Sequence, residues 1–353
     1  MKLNQLRKQI DTLDDKIVGL LNRRAGFSLA VARVKRRSGK SAYSPDRETQ
    51  VLRRVARTNK GPLTPQAVQA VYREIMSSSL ALGASLKIAY LGPEATFTQL
   101  SALKKFGSQV SYMPCNSISD VFLQVEKGNA DYGVIPIENS IEGAVTHTLD
   151  MLVDSDLKIC SQIMLDVAHN LLARCPKGRI RRIYSNPQVF GQCRIWLQEN
   201  LPLAEKIEVS STTRAAQIAA KEKYSAAIAS QLAAKVYGLK VIAADIEDSP
   251  YNITRFLVIG KTDVPATGKD RTSIVFSIKD KVGALHDMLA PFEKYRINLT
   301  KIESRPSKRK AWDYYFFVDL EGHRDEPRVK KAFQELESKC KFLKVLGSYP
   351  IGE

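Results

Sequence analysis

Apolar residues recur every three or four positions at the start of the chain: Leu3, Leu6, Ile10, Leu13, Ile17 and Leu20. This is a seam of coiled-coil type. Phe27, Val31 and Val34 continue it, and no proline interrupts it before Ser38-Gly39. The spacing predicts one helix of about 35 residues, roughly 50 Å long at 1.5 Å per residue. So long an apolar stripe cannot be buried by the short segment that follows, which predicts a dimer packed along the helix. Ser44-Pro45 and Thr64-Pro65 then read as N-cap and first-turn pairs of two shorter helices. Gly83 reads as the terminator of the second.

With 353 residues the chain has room for two or three domains. Its 44% hydrophobic and 26% charged content is that of a soluble globular protein. No apolar run approaches the ~18 residues of a membrane span. Residues 1–10 are charged and helix-patterned, unlike a signal region. Five scattered cysteines (Cys115, Cys160, Cys175, Cys193, Cys340) predict a reduced, cytoplasmic protein without disulfides. Of the net charge of +17, residues 1–60 contribute +11, residues 61–270 +1 and the remainder +5. The excess is therefore an N-terminal property suited to an anion, nucleic acid or a small dianion.

From Lys87 the pattern alternates. Strands are predicted at Ile88–Leu91, Val110–Met113, Gly133–Ile137, Ile183–Tyr184, Ile207–Val209, Ala226–Ala229, Val241–Ala243 and Phe256–Ile259, with helical stretches between most of them. That order argues a mostly parallel sheet, in two lobes with a cleft between them. Gly133 to Val145 is the key stretch: a buried strand breaks into Glu138, Asn139 and Ser140 before helix resumes. It is either a ligand-holding strand end or a polar turn. Thr96 with Thr98, Ser185 with Asn186, Ser211 with Thr212, and Thr254 with Arg255 are further polar strand ends. For Ser211, Thr212 and Thr98 helix capping is the favoured reading; five sets together argue a shared cleft. There is neither a Gly-x-Gly-x-x-Gly nor a Gly-Lys-Ser/Thr loop, which argues against a nucleotide. The four histidines (147, 169, 286, 323) lack metal spacing. No metal or cofactor is expected. After Pro265–Gly268 a strand–helix–strand–strand–helix–strand order predicts a ferredoxin-like α+β unit.

Residues 1–84, with Leu6-Arg7, Arg23-Arg24, Lys35 and Asp46-Arg47-Glu48, resemble the all-helical chorismate mutase family. The resemblance implies an intertwined dimer whose site takes Arg7 from the partner and Arg24, Lys35, Arg47 and Glu48 from its own chain. The generic alternative for these basic residues is a solvated face. Residues 85–264 resemble prephenate dehydratases through Gly92-Pro93-Glu94-Ala95-Thr96-Phe97, Pro136-Ile137-Glu138-Asn139-Ser140, and Asp245–Asp248 running to Asn252 and Thr254-Arg255-Phe256. This implies a two-lobed, periplasmic-binding-protein-like fold. Thr254 would donate to the leaving hydroxyl, with Glu138 its candidate proton partner or a structural brace. Asn139, Ser140, Ser185 and Gln192 would bind or orient substrate. Arg255 would clamp a carboxylate, against the alternative of a salt bridge to Glu247 or Asp248. Residues 270–353 resemble the ACT regulatory domain through Gly283-Ala284-Leu285-His286 and Glu303-Ser304-Arg305-Pro306. That implies phenylalanine held at a dimer interface, with its carboxylate near the helix following Gly283. Lys308–Lys310 reads as a solvated turn.

Three departures stand out. Gly83 occupies a position where the mutase family usually carries Glu or Gln, Ser44 one where Asp is frequent, and Asn186 replaces the dehydratase family's His. Losing a preorganised donor costs about 10²–10³ in rate, so a mutase that is slow, or that recruits another group, is expected. The combined reading is a multidomain chain that converts chorismate to prephenate and prephenate to phenylpyruvate, under phenylalanine inhibition, with no nucleic acid or membrane partner. Its rivals are a dehydratase whose helical segment only dimerises, and a non-catalytic amino-acid sensor.

Overall fold

The computed structural model describes residues 2–38, 41, 43–83, 86–278, 282–307 and 313–351. Gly39, Ala84 and the Lys308–Lys310 turn lie outside the described residues. The apolar seam forms helix α1 (Leu3–Arg37), 35 residues long, followed by α2 (Pro45–Thr58) and α3 (Pro65–Gly83). Lys35, Arg36 and Arg37 occupy the last turn of α1, where cations complement the helix dipole. No residue of α1 is buried. Leu3, Leu20 and Val34 are each more than 60% exposed, at 63%, 66% and 67%. Thr64 caps α3 through the Ala67 N–H (3.2 Å). Ser44 and Pro45 take the N-cap and first-turn positions of α2 as expected, but the Ser44 hydroxyl makes no capping bond and accepts from Lys35 Nζ instead.

Two mixed sheets follow. The first lobe contains β1 (Lys87–Leu91), α4 (Phe97–Phe106), β2 (Ser111–Cys115), α5 (Ile118–Glu126), β3 (Tyr132–Asn139), β4 (Gly143–Ala144), α6 (Thr146–Asp154) and β5 (Lys158–Asp166). The chain crosses to the second lobe, β6 (Asn170–Ala173), β7 (Arg182–Ser185), α7 (Pro187–Gln192), α8 (Arg194–Asn200), β8 (Glu205–Glu208), α9 (Thr212–Ala219), β9 (Ser225–Ala229), α10 (Gln231–Tyr237) and β10 (Lys240–Ala243). It returns to the first as β11 (Ile253–Gly260). The strand orders are β2-β1-β3-β11-β5, with β4 on β3, and β10-β6-β9-β7-β8. The expectation of a mostly parallel sheet is corrected: β11 runs antiparallel to both β3 and β5, and β6 antiparallel to β9 and β10. The two unexpected strands, β5 and β6, flank one of the two crossovers, and the return strand β11 supplies the reversed direction.

The C-terminal unit is β12 (Asp270–Ser277), α11 (Ala284–Lys294), β13 (Leu299–Pro306), β14 (Tyr314–Glu321), α12 (Pro327–Lys339) and β15 (Phe342–Pro350), with sheet order β13-β14-β12-β15. Its helices cover one sheet face through Met288, Phe292, Val329 and Leu336. The other face, with Val275, Phe317, Leu346 and Tyr349, packs on Ile135, Ile137, Ile159 and Leu257 of the first lobe. Gly347 makes that approach possible: a Cβ there would lie 2.3 Å from the Ile159 carbonyl oxygen.

No described helix is long and apolar enough to cross a membrane. The exposed seam of α1 generates a first prediction. The full chain should sediment as a dimer or higher oligomer, and Leu13→Asp should shift it toward monomer in analytical ultracentrifugation. A monomeric unmodified chain would contradict it.

Candidate active site

The interlobe cleft is organised by one asparagine. Asn139 ends β3, and its side-chain Oδ1 accepts from the backbone N–H groups of Ile141 (2.9 Å) and Glu142 (3.0 Å). Backbone N–H groups only donate, so the amide orientation is determined and Nδ2 must point the other way. Its two protons go to Asn252 Oδ1 (2.7 Å) and Thr254 Oγ1 (2.8 Å). Asn252 Nδ2 then donates to Gln192 Oε1 (3.1 Å), and Gln192 Nε2 to Glu142 Oε1 (3.2 Å). His169 Nε2 lies 2.8 Å from the same Gln192 Oε1 and must carry the proton. Burial pushes the His169 imidazole below its ordinary pKa, against the raising effects of Gln192 and Glu247, so the ring is neutral.

The consequence is a directed set of hydrogen bonds across the junction of the lobes, neutral from His169 to Thr254 and joined to the Glu142 carboxylate through Gln192. Thr254 is an acceptor toward Asn139, which leaves its own O–H proton for another partner. His169 and Asn252 sit on the two crossovers between lobes. Both crossovers are also pinned: Glu247 Oε2 accepts from His169 N (2.8 Å), and Asp248 caps α8 through the Ile195 N–H (3.0 Å) and Trp196 N–H (3.2 Å). Ser140 ties its loop to the returning strand, donating to Tyr251 O (2.7 Å) and accepting from Ile253 N (2.9 Å).

Other polar strand ends have local duties. Thr96, Asn186 and Ser211 cap α4, α7 and α9. Capping is therefore right for Ser211, whereas in the first set the cap is Thr96 and not Thr98. Ser185, expected to bind substrate, is fully buried and donates to the Ile228 carbonyl (3.0 Å). It secures β7 against β9 from below.

Glu138 and Arg255 require correction. On β3 and β11, Thr254 pairs with Asn139 and Arg255 with Glu138. Successive side chains of a strand point to opposite faces, so the second pair faces away from the cleft, into the C-terminal unit. Arg255 is 4% exposed. It meets Glu138 Oε1 (2.9 Å), Asp319 Oδ2 (2.6 Å) and the Tyr349 hydroxyl (2.8 Å), and neither Glu247 nor Asp248. Lys301 Nζ closes the group on Glu138 Oε2. Arg255 is held as a cation by Tyr349, Asp319 and Glu138 despite burial. Burial alone would raise the Glu138 pKa, but Lys301 and Arg255 more than reverse it. The expected carboxylate clamp and proton partner thus form an interdomain lock.

The ACT-type motifs are placed as follows. Gly283 (φ +76°) opens α11, with Ala284 buried and Leu285 37% exposed. Glu303, Ser304 and Arg305 lie on the edge strand β13. Arg305 makes a two-pronged pair with Asp150 of α6 (2.5 and 2.6 Å). Lys344 adds three bonds to the carbonyls at the end of α6, those of Leu152, Val153 and Ser155.

A second cleft, of about 330 Å³, lies among the N-terminal helices and brings together Arg24, Lys35, Ser44, Arg47, Glu48 and Gly83. Arg7 is not among its lining residues; it lies 17 positions before Arg24 on the same helix, roughly 25 Å away. Arg24 Nη1 donates to Ser79 Oγ (2.9 Å). Gly83 is constrained as well: a Cβ there would meet the Ala32 Cβ at 2.9 Å, and its carbonyl accepts from Arg36 (2.7 Å).

A helical segment with an arginine-lined cleft, a two-lobed α/β body with a hydrogen-bonded interlobe site, and a ferredoxin-like unit locked behind it define a multidomain enzyme of small acidic substrates. Residues 6–83 match the family model for chorismate mutase type II, residues 88–264 that for prephenate dehydratase, and residues 272–338 the ACT domain. The chain is 49% identical to a bifunctional chorismate mutase/prephenate dehydratase of Aquifex aeolicus, over 99% of this chain and 98% of that one. It is 46% identical to the protein of the same name from Pseudomonas aeruginosa, with the same coverage. The crystal structure of a prephenate dehydratase from Arthrobacter aurescens in complex with L-Phe superposes with a TM-score of 0.71 at 33% identity, covering 75% of this chain and 90% of that one. The chain belongs to the bifunctional chorismate mutase/prephenate dehydratase family.

Removing Asp319 strands a buried guanidinium, which costs about 3–5 kcal/mol. Asp319→Ala should therefore lower the thermal midpoint sharply, as read by calorimetry. Because the Glu138 pKa is depressed in the folded state, its contribution is present above the ordinary carboxylate range and lost as pH falls through the folded value. Glu138→Gln should flatten that acid limb of a stability–pH curve; an unchanged limb would refute the assignment.

Proposed function

We propose that the chain catalyses two consecutive reactions and is inhibited by L-phenylalanine. Chorismate rearranges to prephenate in the helical cleft, and prephenate loses water and carbon dioxide between the lobes to give phenylpyruvate. The first reaction is pericyclic and needs no acid, base or nucleophile. The cleft's task is to hold a folded dianion and stabilise charge developing on the ether oxygen. Arg24 and Arg47 grip the carboxylates through their forks, Lys35 faces the ether oxygen, and Glu48 completes the wall. Arg7 of the partner subunit closes it, consistent with the unburied seam of α1. With Gly83 offering only backbone, the mutase is slow for its family.

For the dehydration the observation that carries the reading is the Asn139–Thr254 bond. Because Asn139 donates to Thr254, the threonine proton is directed at the substrate hydroxyl and polarises its departure. As the carbon–carboxylate bond breaks, its electron pair enters the ring, the carbon–hydroxyl bond breaks, and the departing hydroxide takes up a proton to leave as water. Aromatisation drives the sequence. A threonine hydroxyl is a poor acid at neutral pH, and with Glu138 on the opposite strand face its role is polarisation. Gln192 and Asn252 keep Asn139 in position, Ser140 fixes the loop, and Ser185 acts indirectly through β7. The N–H groups opening α4 and α9 are suited to the substrate carboxylates.

Phenylalanine is assigned to Gly283, Ala284 and Leu285 together with Glu303 and Ser304 across an interface between two copies. Arg305 transmits its presence through Asp150 to α6, which follows the substrate loop directly. The sensor reading is disfavoured by the Thr254 geometry.

The test is to follow chorismate and prephenate consumption separately, with and without phenylalanine. Thr254→Ala should cut phenylpyruvate formation by about 10²-fold or more while leaving chorismate turnover intact. No phenylpyruvate from prephenate with the unmodified chain would sink the reading. Phenylpyruvate without chorismate turnover would select a dehydratase with a purely dimerising helical segment.

A further inference from the structure

We infer that Lys105, a residue of the dehydratase unit, is a positioning residue of the mutase cleft. It holds the Glu48 carboxylate in the orientation that chorismate requires. The inference rests on the mutase reading of that cleft and adds to it a residue from outside the helical segment.

The α1–α2 connection does not stay with its own helices. Tyr43 is buried in the first-lobe core beside Leu86, Ile88 and Phe106. Its ring lies 5.1 Å from that of Phe106 and 5.2 Å, edge-on, from that of Tyr132. Ser41 adds a hydroxyl contact to Tyr132 at 3.0 Å. The residue after Tyr43 is Ser44, the acceptor of Lys35 in the mutase cleft. One turn into α2 comes Glu48, 9% exposed.

Two groups at this junction, one from the α1–α2 connection and one from the dehydratase unit, converge on one oxygen of Glu48. Tyr43 donates its hydroxyl to Oε2 (2.5 Å), and Lys105 Nζ, on α4, lies 2.6 Å from the same atom. Both donors sit on Oε2 and leave Oε1 to other partners, and Glu48 lines the cleft where Arg24, Lys35 and Arg47 also converge. A buried carboxylate beside guanidinium groups would otherwise rotate to pair with them, since a close opposite charge in low dielectric outweighs the torsional cost. Such a rotation would occupy the arginines that must receive the substrate's carboxylates. Lys105 removes the incentive by neutralising Glu48 from behind. The mutase cleft is therefore completed by the next domain.

Lys105→Met keeps the length of the side chain and deletes its charge; Lys105→Arg restores the charge. Mutase and dehydratase activities are to be measured on the same preparation of full-length chain. The Met variant should lose about 10²-fold in mutase kcat/KM, the scale of an ångström-level misplacement. The loss should fall mainly on KM, with dehydratase turnover unchanged and the Arg variant regaining most of it. Full mutase activity in Lys105→Met overturns the inference, as does a parallel fall in both activities, which would assign the pair a structural role. Absence of chorismate turnover in the unmodified chain would overturn the mutase reading itself and this inference with it.

Discussion

The guanidinium of Arg255 is the point on which the body of the molecule turns. It is buried at a sheet-on-sheet contact, held by carboxylates from two domains and a tyrosine hydroxyl from the end of the chain. A charge so placed is tolerated only when it is paired, and breaking one partner costs far more than the pair contributes net. The C-terminal sheet consequently cannot leave the first lobe without taking Asp319 and Tyr349 from Arg255 and Lys301 from Glu138. Strand alternation then does the rest: Arg255 faces the C-terminal unit, and its neighbour Thr254 faces the hydrogen-bonded junction of the lobes. One peptide bond separates the two functions.

A related division runs through the polar groups. Behind the strands the interactions are ionic, while in front of them, from His169 to Thr254, they are neutral amides, an imidazole and a hydroxyl. Neutral donors whose directions are set by backbone N–H groups are preorganised at low cost. They also avoid competing with the negative charges of a dicarboxylate.

Much of this was legible in the sequence, for identifiable reasons. The three-four spacing from Leu3 to Val34 left no alternative to a long helix, and Arg24, Lys35, Arg47 and Glu48 do share a cleft. The sequence leaves Glu138 open between proton partner and brace and Arg255 between clamp and salt bridge, and period-two alternation does not resolve it, because alternation does not say which face meets which domain; the ion partner of Arg255 from outside the lobe, Asp319, was not legible. Strand β5 was missed because Ser161 and Gln162 interrupt its apolar run; both are buried, and Gln162 accepts from Arg271 of the C-terminal unit. Asn139 stands out in the sequence and Asn252 lies two residues before Thr254, but nothing in the sequence pairs the two across 113 residues. Lys105 looked like an ordinary basic residue in the last turn of a helix.

Gly347 has a mechanical implication. At this one position β15 rests its bare backbone on that of β5, a hard point of contact amid the side chains that fill the rest of the space between the sheets. Surfaces in such contact resist being pried apart but can glide. A displacement of the C-terminal sheet along its strands would be carried into α6 by the grip of Arg305 on Asp150 and of Lys344 on the carbonyls at the helix end. The catalytic loop would then respond to displacements well below the width of a side chain.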